Sequence, residues 1–199
     1  MSTSLLYHAW GTRGYEHVRT TFLNGTVCFA LEQDTDTFCC SHCGSQRVMK
    51  AGLIARRFRS LPIGRRSVVI ELPIQRLWCL DCGKTRQAAI AFADPRRTYT
   101  HAFERYVLDL SRHMTIQHVA HHLGVGWDLV KDIQKRHLLA HYAKPKLKHL
   151  KHLAIDEISI GSGHRYLTVV LDLDSGAIVF VGEGKGADAL LPIWRRLNS

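Results

Sequence analysis

Two short cysteine motifs carry the clearest chemistry in this sequence. Cys40-Ser-His-Cys43-Gly44 and Cys79-Leu-Asp-Cys82-Gly83 are matched C-x-x-C-G units. Zinc takes four soft ligands in a tetrahedron, at ~2.3 Å for each thiolate. A C-x-x-C turn presents two sulfurs together, and the glycine after it lets the chain reverse. Two such knuckles on two hairpins make a zinc ribbon, so Cys40, Cys43, Cys79 and Cys82 are the expected zinc ligands. With four protein ligands the site is closed, hence structural rather than catalytic. The alternatives are a redox C-x-x-C and four buried thiols. A redox pair normally stands alone near a βαβ pattern. Cys39 competes with Cys40 by adjacency, while Cys28 and His42 read as spectators. No basic stretch followed by a long apolar run opens the chain, so a secretory signal and a disulfide framework are not expected.

The second informative stretch is Thr115 to Lys135. Ala120 is small where two helices would cross, and Gly124 follows where the chain must turn left-handed. Val119, Leu123, Val125, Val130 and Ile133 supply an apolar interface, and Thr115 can cap the first helix. This is the layout of a helix-turn-helix, whose second helix enters the major groove of DNA. An ordinary helical hairpin shares the glycine turn. The recognition helix should begin near Gly126 or Trp127. Its candidate DNA-facing residues are Trp127, Asp128, Lys131, Asp132 and Lys135, of which Trp127 reads as core rather than base-stacking. His113, His118, His121 and His122 show no clear ligand geometry.

Charge supports a polyanionic partner. The chain has 27 Lys and Arg against 17 acids, a net +10 and a pI near 9.6. No acid lies between Asp36 and Glu71, where Arg56, Arg57, Arg59, Arg65 and Arg66 cluster, nor between Asp132 and Asp156, where Lys144, Lys146, Lys148 and Lys151 cluster. These are the candidate phosphate contacts, and nucleic acid is the first candidate ligand.

The elements that position these groups read as follows. At 199 residues, with 46% hydrophobic and 22% charged residues, the chain is globular rather than disordered. It lacks an apolar run long enough to span a membrane, so a cytoplasmic, nucleoid-associated protein is expected. The composition divides it into a β segment (1–38), the zinc ribbon (39–95), the helix-turn-helix (96–143), a basic linker (144–152) and a final αβ segment (153–199). The stretch 68–74 reads as a strand, and the Arg-rich region between the cysteine pairs is expected to loop out. Phe103, Tyr106, Val107 and Leu110 have helical spacing. Beyond 153, three strands punctuated by Gly-Ser-Gly and Asp-Ser-Gly turns lead to a helix carrying Leu190, Leu191, Trp194 and Leu197 on one face. The fold class is multi-domain α+β.

In this order, a double C-x-x-C ribbon, a helix-turn-helix and the strand holding Ile155-Asp156-Glu157, the chain resembles bacterial insertion-sequence transposases of the DDE class, in the ISL-three family with an N-terminal zinc ribbon. The resemblance implies a ribonuclease-H-like catalytic domain, of which 153–199 would be the first half. It also implies two Asp and one Glu holding two Mg²⁺ ions that act on a phosphodiester. Asp156 matches the first carboxylate. Glu157 alternates to the other sheet face. Asp172 and Asp174 come too early for the second Asp, and Asp188 reads as a charge at a helix N-terminus. The second Asp and the Glu have no counterpart here. The chain is therefore expected to be an N-terminal transposase fragment, inactive alone, with zinc as its cofactor and magnesium only if the catalytic domain is completed. Its expected partner is double-stranded DNA at the terminal inverted repeats, with a homodimer as one expected assembly. The rival is a zinc-ribbon and helix-turn-helix regulator without catalysis.

Overall fold

The computed structural model describes residues 5–143, 145 and 147–197. The chain divides into two units, 1–135 and 136–199. No helix among the described residues is long and apolar enough to cross a membrane.

The first unit opens with α1 (Leu5–Trp10), β1 (Tyr15–Leu23) and β2 (Thr26–Gln33). Asn24 and Gly25 join the strands with positive φ at both, 48° and 76°, as a two-residue hairpin of primed type demands. β3 (Val48–Ile63), β4 (Arg66–Cys79) and β5 (Thr85–Gln87) complete one sheet. Its order is β1-β2-β4-β3, with β5 also on β4; β2 and β4 run parallel and the other pairs antiparallel. The β segment expected at the start thus shares a sheet with the strands between the cysteine pairs.

Those strands do not loop out. Residues 48–79 form one long antiparallel hairpin. The reason is a period of two: Val68, Ile70, Leu72 and Ile74 on β4, and Phe58 and Ser60 on β3, are buried, while Arg57 and Arg59 alternate with the latter pair. Phe58, Leu31 and Phe92 close the core. Only Gly64 and Arg65 separate the two strands at the tip.

Residues 98–100 then run beside β3: the Arg59 amide donates to Thr98 O (2.7 Å), and the Thr100 amide donates to Arg59 O (2.9 Å). Thr100 caps α2 (His101–Leu110), accepting from the Phe103 amide at 3.1 Å. α3 (Ile116–Leu123) and α4 (Trp127–Tyr142) follow. The three helices enclose Phe103, Val107, Val119, Leu123, Val130 and Ile133. Thr115 caps α3 by accepting from the His118 amide (3.3 Å), and Gly124 ends it at φ 62°, ψ 43°. The Val125 amide returns to Ala120 O at 3.0 Å, closing the turn.

In the second unit β6 (Leu153–Ser159), β7 (Tyr166–Asp172) and β8 (Ile178–Glu183) form an antiparallel sheet in chain order, followed by α5 (Ala187–Leu197). Val170, Val179 and Ile193 are its buried centre. The segment expected to be a linker is anchored: Leu147 and Leu150 pack on that centre.

Candidate metal centre and nucleic-acid interface

The two knuckles fold alike because both carry the C-x-x-C-G pattern. The Cys40 amide donates to Ser45 O and the Gly44 amide to Cys40 O (2.8 and 2.9 Å); the Cys79 amide donates to Lys84 O and the Gly83 amide to Cys79 O (3.1 and 3.0 Å). Gly44 and Gly83 take φ of 74° and 66°, a conformation that a side chain would strain. All four Sγ atoms lie within 4.8 Å of one another. Cys40 and Cys82 are 3.7 Å apart, Cys43 and Cys79 3.5 Å. Asp81 in the second knuckle accepts from Ser45 Oγ (2.5 Å) and Arg47 Nη1 (2.8 Å), clamping the first knuckle to it. Among the described residues this is the one cluster of three or more His, Cys, Asp or Glu side chains close enough to hold a metal ion. Cys39 and Cys28 stay outside it.

Electrostatics favour a cation here. The Cys43 and His42 amides hold the Cys40 thiol down, to about 6. The Cys82 and Asp81 amides act likewise on Cys79. The Ser45 amide lowers Cys43, but the Cys79 thiol, burial and the remaining two thiols together push it up to about 12. Cys40 and Cys79 are thus eased toward the thiolate while Cys43 and Cys82 are held back from it, and a bound cation would favour ionisation of all four.

The recognition-helix residues sit on one unit with this centre. Asp128, Asp132 and Lys135 are exposed on α4, and Lys131 is half-buried. Trp127, expected in the core, is 47% exposed. As the first residue of α4 it precedes the Val130 and Ile133 seam. Its ring carries Lys131 Nζ at 4.6 Å, and that ammonium also meets Asp128 at 3.2 Å. Sequence periodicity could not separate a helix-opening indole from a core one.

The arginines divide. Arg65 and Arg66 are exposed at the hairpin tip. Arg57 pairs with Glu71 at 3.3 Å. Arg56 donates to Arg97 O and stacks over Phe58 at 4.7 Å. Arg59 donates to Leu123 O at 2.7 Å, binding β3 to the C-terminal carbonyls of α3, where a cation is favoured. A cavity of about 510 Å³ opens there, lined among others by Arg59, Arg65, His121, His122 and Gly124. Lys148 and Lys151 are exposed in the second unit; Lys144 and Lys146 lie outside the described residues.

In the second unit the register pairs Asp156 with Val169 and Glu157 with Thr168, so the two acids face opposite ways. Glu157 accepts from the Gly186 amide at 2.8 Å, just before α5. Asp156 is exposed and accepts the neighbouring Glu157 amide at 2.8 Å. Asp172 is held below the usual carboxylate range by the Ser175 hydroxyl in the hairpin turn, and Asp174 meets His152 at 3.2 Å. Asp188 lies in the first turn of α5.

Residues 88–138 match the family model for the helix-turn-helix domain of transposase family ISL3, and 153–199 match the DDE transposase model of that family. The chain is 29% identical over 189 residues to the transposase for insertion sequence element IS1001 of Bordetella parapertussis, covering 94% of this chain and 47% of that protein. It is 32% identical over 148 residues to the transposase for IS1557 of Mycobacterium tuberculosis, covering 73% of this chain and 33% of that one. The chain therefore spans about half, or a third, of the length of these relatives. No solved structure matches it. Both domain matches are to the ISL3 transposase family and fall in order along the chain, which is similar along nearly its whole length to an insertion-sequence transposase.

Proposed function

We propose that this chain binds the terminal inverted repeats of its insertion sequence as the DNA-recognition part of a transposase. One observation carries the reading: the match to a transposase helix-turn-helix falls on three packed helices with a capped α3, a left-handed Gly124 and an exposed α4 face. α4 enters the major groove, with Lys131, Asp132 and Lys135 toward base edges and phosphates. Trp127 and Asp128 set the position of Lys131. Arg65 and Arg66, with the Lys144 to Lys151 stretch, contact backbone phosphates; Arg56, Arg57 and Arg59 serve partly by holding the hairpin and α3. Each inverted repeat engages one copy, so the working form on two ends is a dimer, associated with the nucleoid.

The metal in the cysteine cluster is zinc. A tetrahedron of ~2.3 Å bonds has edges of about 3.8 Å, close to the 3.5 and 3.7 Å separations of the sulfurs. Four soft ligands with no open position make the site structural. Its work is to hold the base of the β3–β4 hairpin.

Asp156 serves as the first of the DDE carboxylates. When bound, magnesium supplies two-metal activation of the attacking and leaving oxygens. Among the described residues Asp156 belongs to no group of three or more His, Cys, Asp or Glu side chains close enough to hold a metal ion, so they make only part of such a site. DNA binding is the activity we assign to this chain. A regulator without catalysis has no use for Asp156 on its strand, and the DDE match over 153–199 favours the transposase reading over it.

The test is binding to a labelled inverted-repeat duplex from low to moderate salt. Affinity should fall steeply, by a slope of about 0.9 per phosphate contacted. A flat salt response overturns the reading.

A further inference from the structure

Beside the metal knuckles, in the first unit, lies a groove of about 760 Å³ between the strands and the segment 88–96. Four arginines line it: Arg56 on β3, Arg76 on β4, Arg86 on β5 and Arg96 in the turn that follows Ala93. No carboxylate lines it. Among the described residues none of Arg76, Arg86 and Arg96 makes an ion pair. Converging like charges repel one another, and an anion in the groove relieves that repulsion.

Arg96 adds an independent signal. The Arg97 amide donates to Asp94 O at 3.2 Å, closing a turn with Pro95 and Arg96 at its centre. Arg96 takes φ 63°, at a position that glycine or asparagine fills with less strain. An arginine held there against its backbone preference contributes its side chain. The remaining walls include Ala88, Ala89, Ala93 and Pro95, and no aromatic ring lines the groove. Base stacking, the usual device for unpaired strands, is therefore lacking. Guanidinium groups recognise phosphate oxygens in bidentate fashion.

We propose that this groove takes the phosphate backbone of duplex DNA, as a second contact independent of α4. This rests on the DNA-binding reading above. Arg76, Arg86 and Arg96 then extend the footprint beyond the helix-turn-helix without adding base preference, since phosphate contacts position rather than specify.

The test uses the full metal-loaded chain and a fluorescent duplex carrying an element end, with anisotropy read across a salt series. The R76A/R86A/R96A variant should keep the metal content and melting temperature of the parent. Its log–log salt slope should shrink by about 2 to 3, and its ratio of specific to scrambled affinity should hold. R76K/R86K/R96K should restore most of the slope. Arg96→Gly separates backbone from side chain: the melting temperature should hold or rise while the slope drops by about 0.9. An unchanged slope in the alanine variant, with the parent binding normally, overturns the groove alone. A parent chain without salt-dependent duplex binding overturns the DNA reading itself. Unpaired DNA outcompeting duplex for the parent, but not for the alanine variant, overturns the duplex assignment. A lower melting temperature in Arg96→Gly overturns the role of Arg96.

Discussion

Replacing Gly124 by alanine should loosen the helix-turn-helix by about 1 kcal/mol without disturbing its packing. Gly124 sits at φ 62°, ψ 43°, and a Cβ built there meets nothing within 4 Å. The whole effect must therefore come from the backbone. A left-handed conformation costs an L-residue roughly 1–2 kcal/mol. Reduced freedom of the unfolded chain returns up to about 1 kcal/mol, leaving a net loss near 1. Asparagine, which tolerates this region, should lose less; valine, branched at Cβ, should lose more. The assay is amide hydrogen exchange resolved by segment, because two units need not unfold as one. A loss of about 1 kcal/mol speeds opening-limited exchange about fivefold. It should appear over α3 and the start of α4, and leave α5 in the second unit unchanged. Unaltered exchange in α3, or an equal effect on α5, would refute the reasoning.

Gly182 differs in cause. Its Cβ would stand 2.5 Å from Ala189 O and 2.9 Å from Phe180 Cε1, so Gly182→Ala should destabilise the second unit by about 1–3 kcal/mol through overpacking, read by amide hydrogen exchange over α5. Cys43→Ser should abolish stoichiometric zinc binding measured by elemental analysis; retention of one zinc per chain contradicts the ligand assignment. Acidification should release zinc from the parent chain, because protons compete with the ion for thiolates and affinity falls as pH falls; a chromogenic chelator reads the release, and pH-independent retention would count against thiolate ligation. Arg59→Met keeps the aliphatic stem but removes the bond to Leu123 O; for a partly exposed group this should cost about 1 kcal/mol, seen as faster exchange at the α3 C-terminus. Asp156→Asn should leave duplex affinity within about twofold, and a large loss of binding would give Asp156 a different role.

Much of the site was legible in the residues because local chemistry sets it. Two C-x-x-C-G units need no tertiary information to form knuckles, and Thr115, Ala120 and Gly124 mark a cap, a crossing and a turn by residue type alone. The final strands are marked by apolar runs and by their glycine turns. What escaped were facts of pairing across the chain. The long Arg-rich gap between the cysteine pairs reads as a region that loops out, yet β4 supplies every second residue to the core and draws β3 into a hairpin. β2 lies parallel to β4, a pairing with no local signature. Arg59 reads as a surface cation until its guanidinium is seen on Leu123 O. Trp127 reads as core until the seam is seen to begin at Val130. Arg76, Arg86 and Arg96 recur ten residues apart, an interval that marks no shared face of one helix or strand, and only the fold gathers them.

The most direct test of the central claim is equilibrium binding of the metal-loaded chain to its element's inverted-repeat duplex, set against a scrambled duplex of equal length and composition. The expected result is tighter binding to the repeat by at least about 10³ at moderate salt, with a steep negative salt slope on both duplexes. Equal affinity for the two sequences, or binding insensitive to salt, would contradict it.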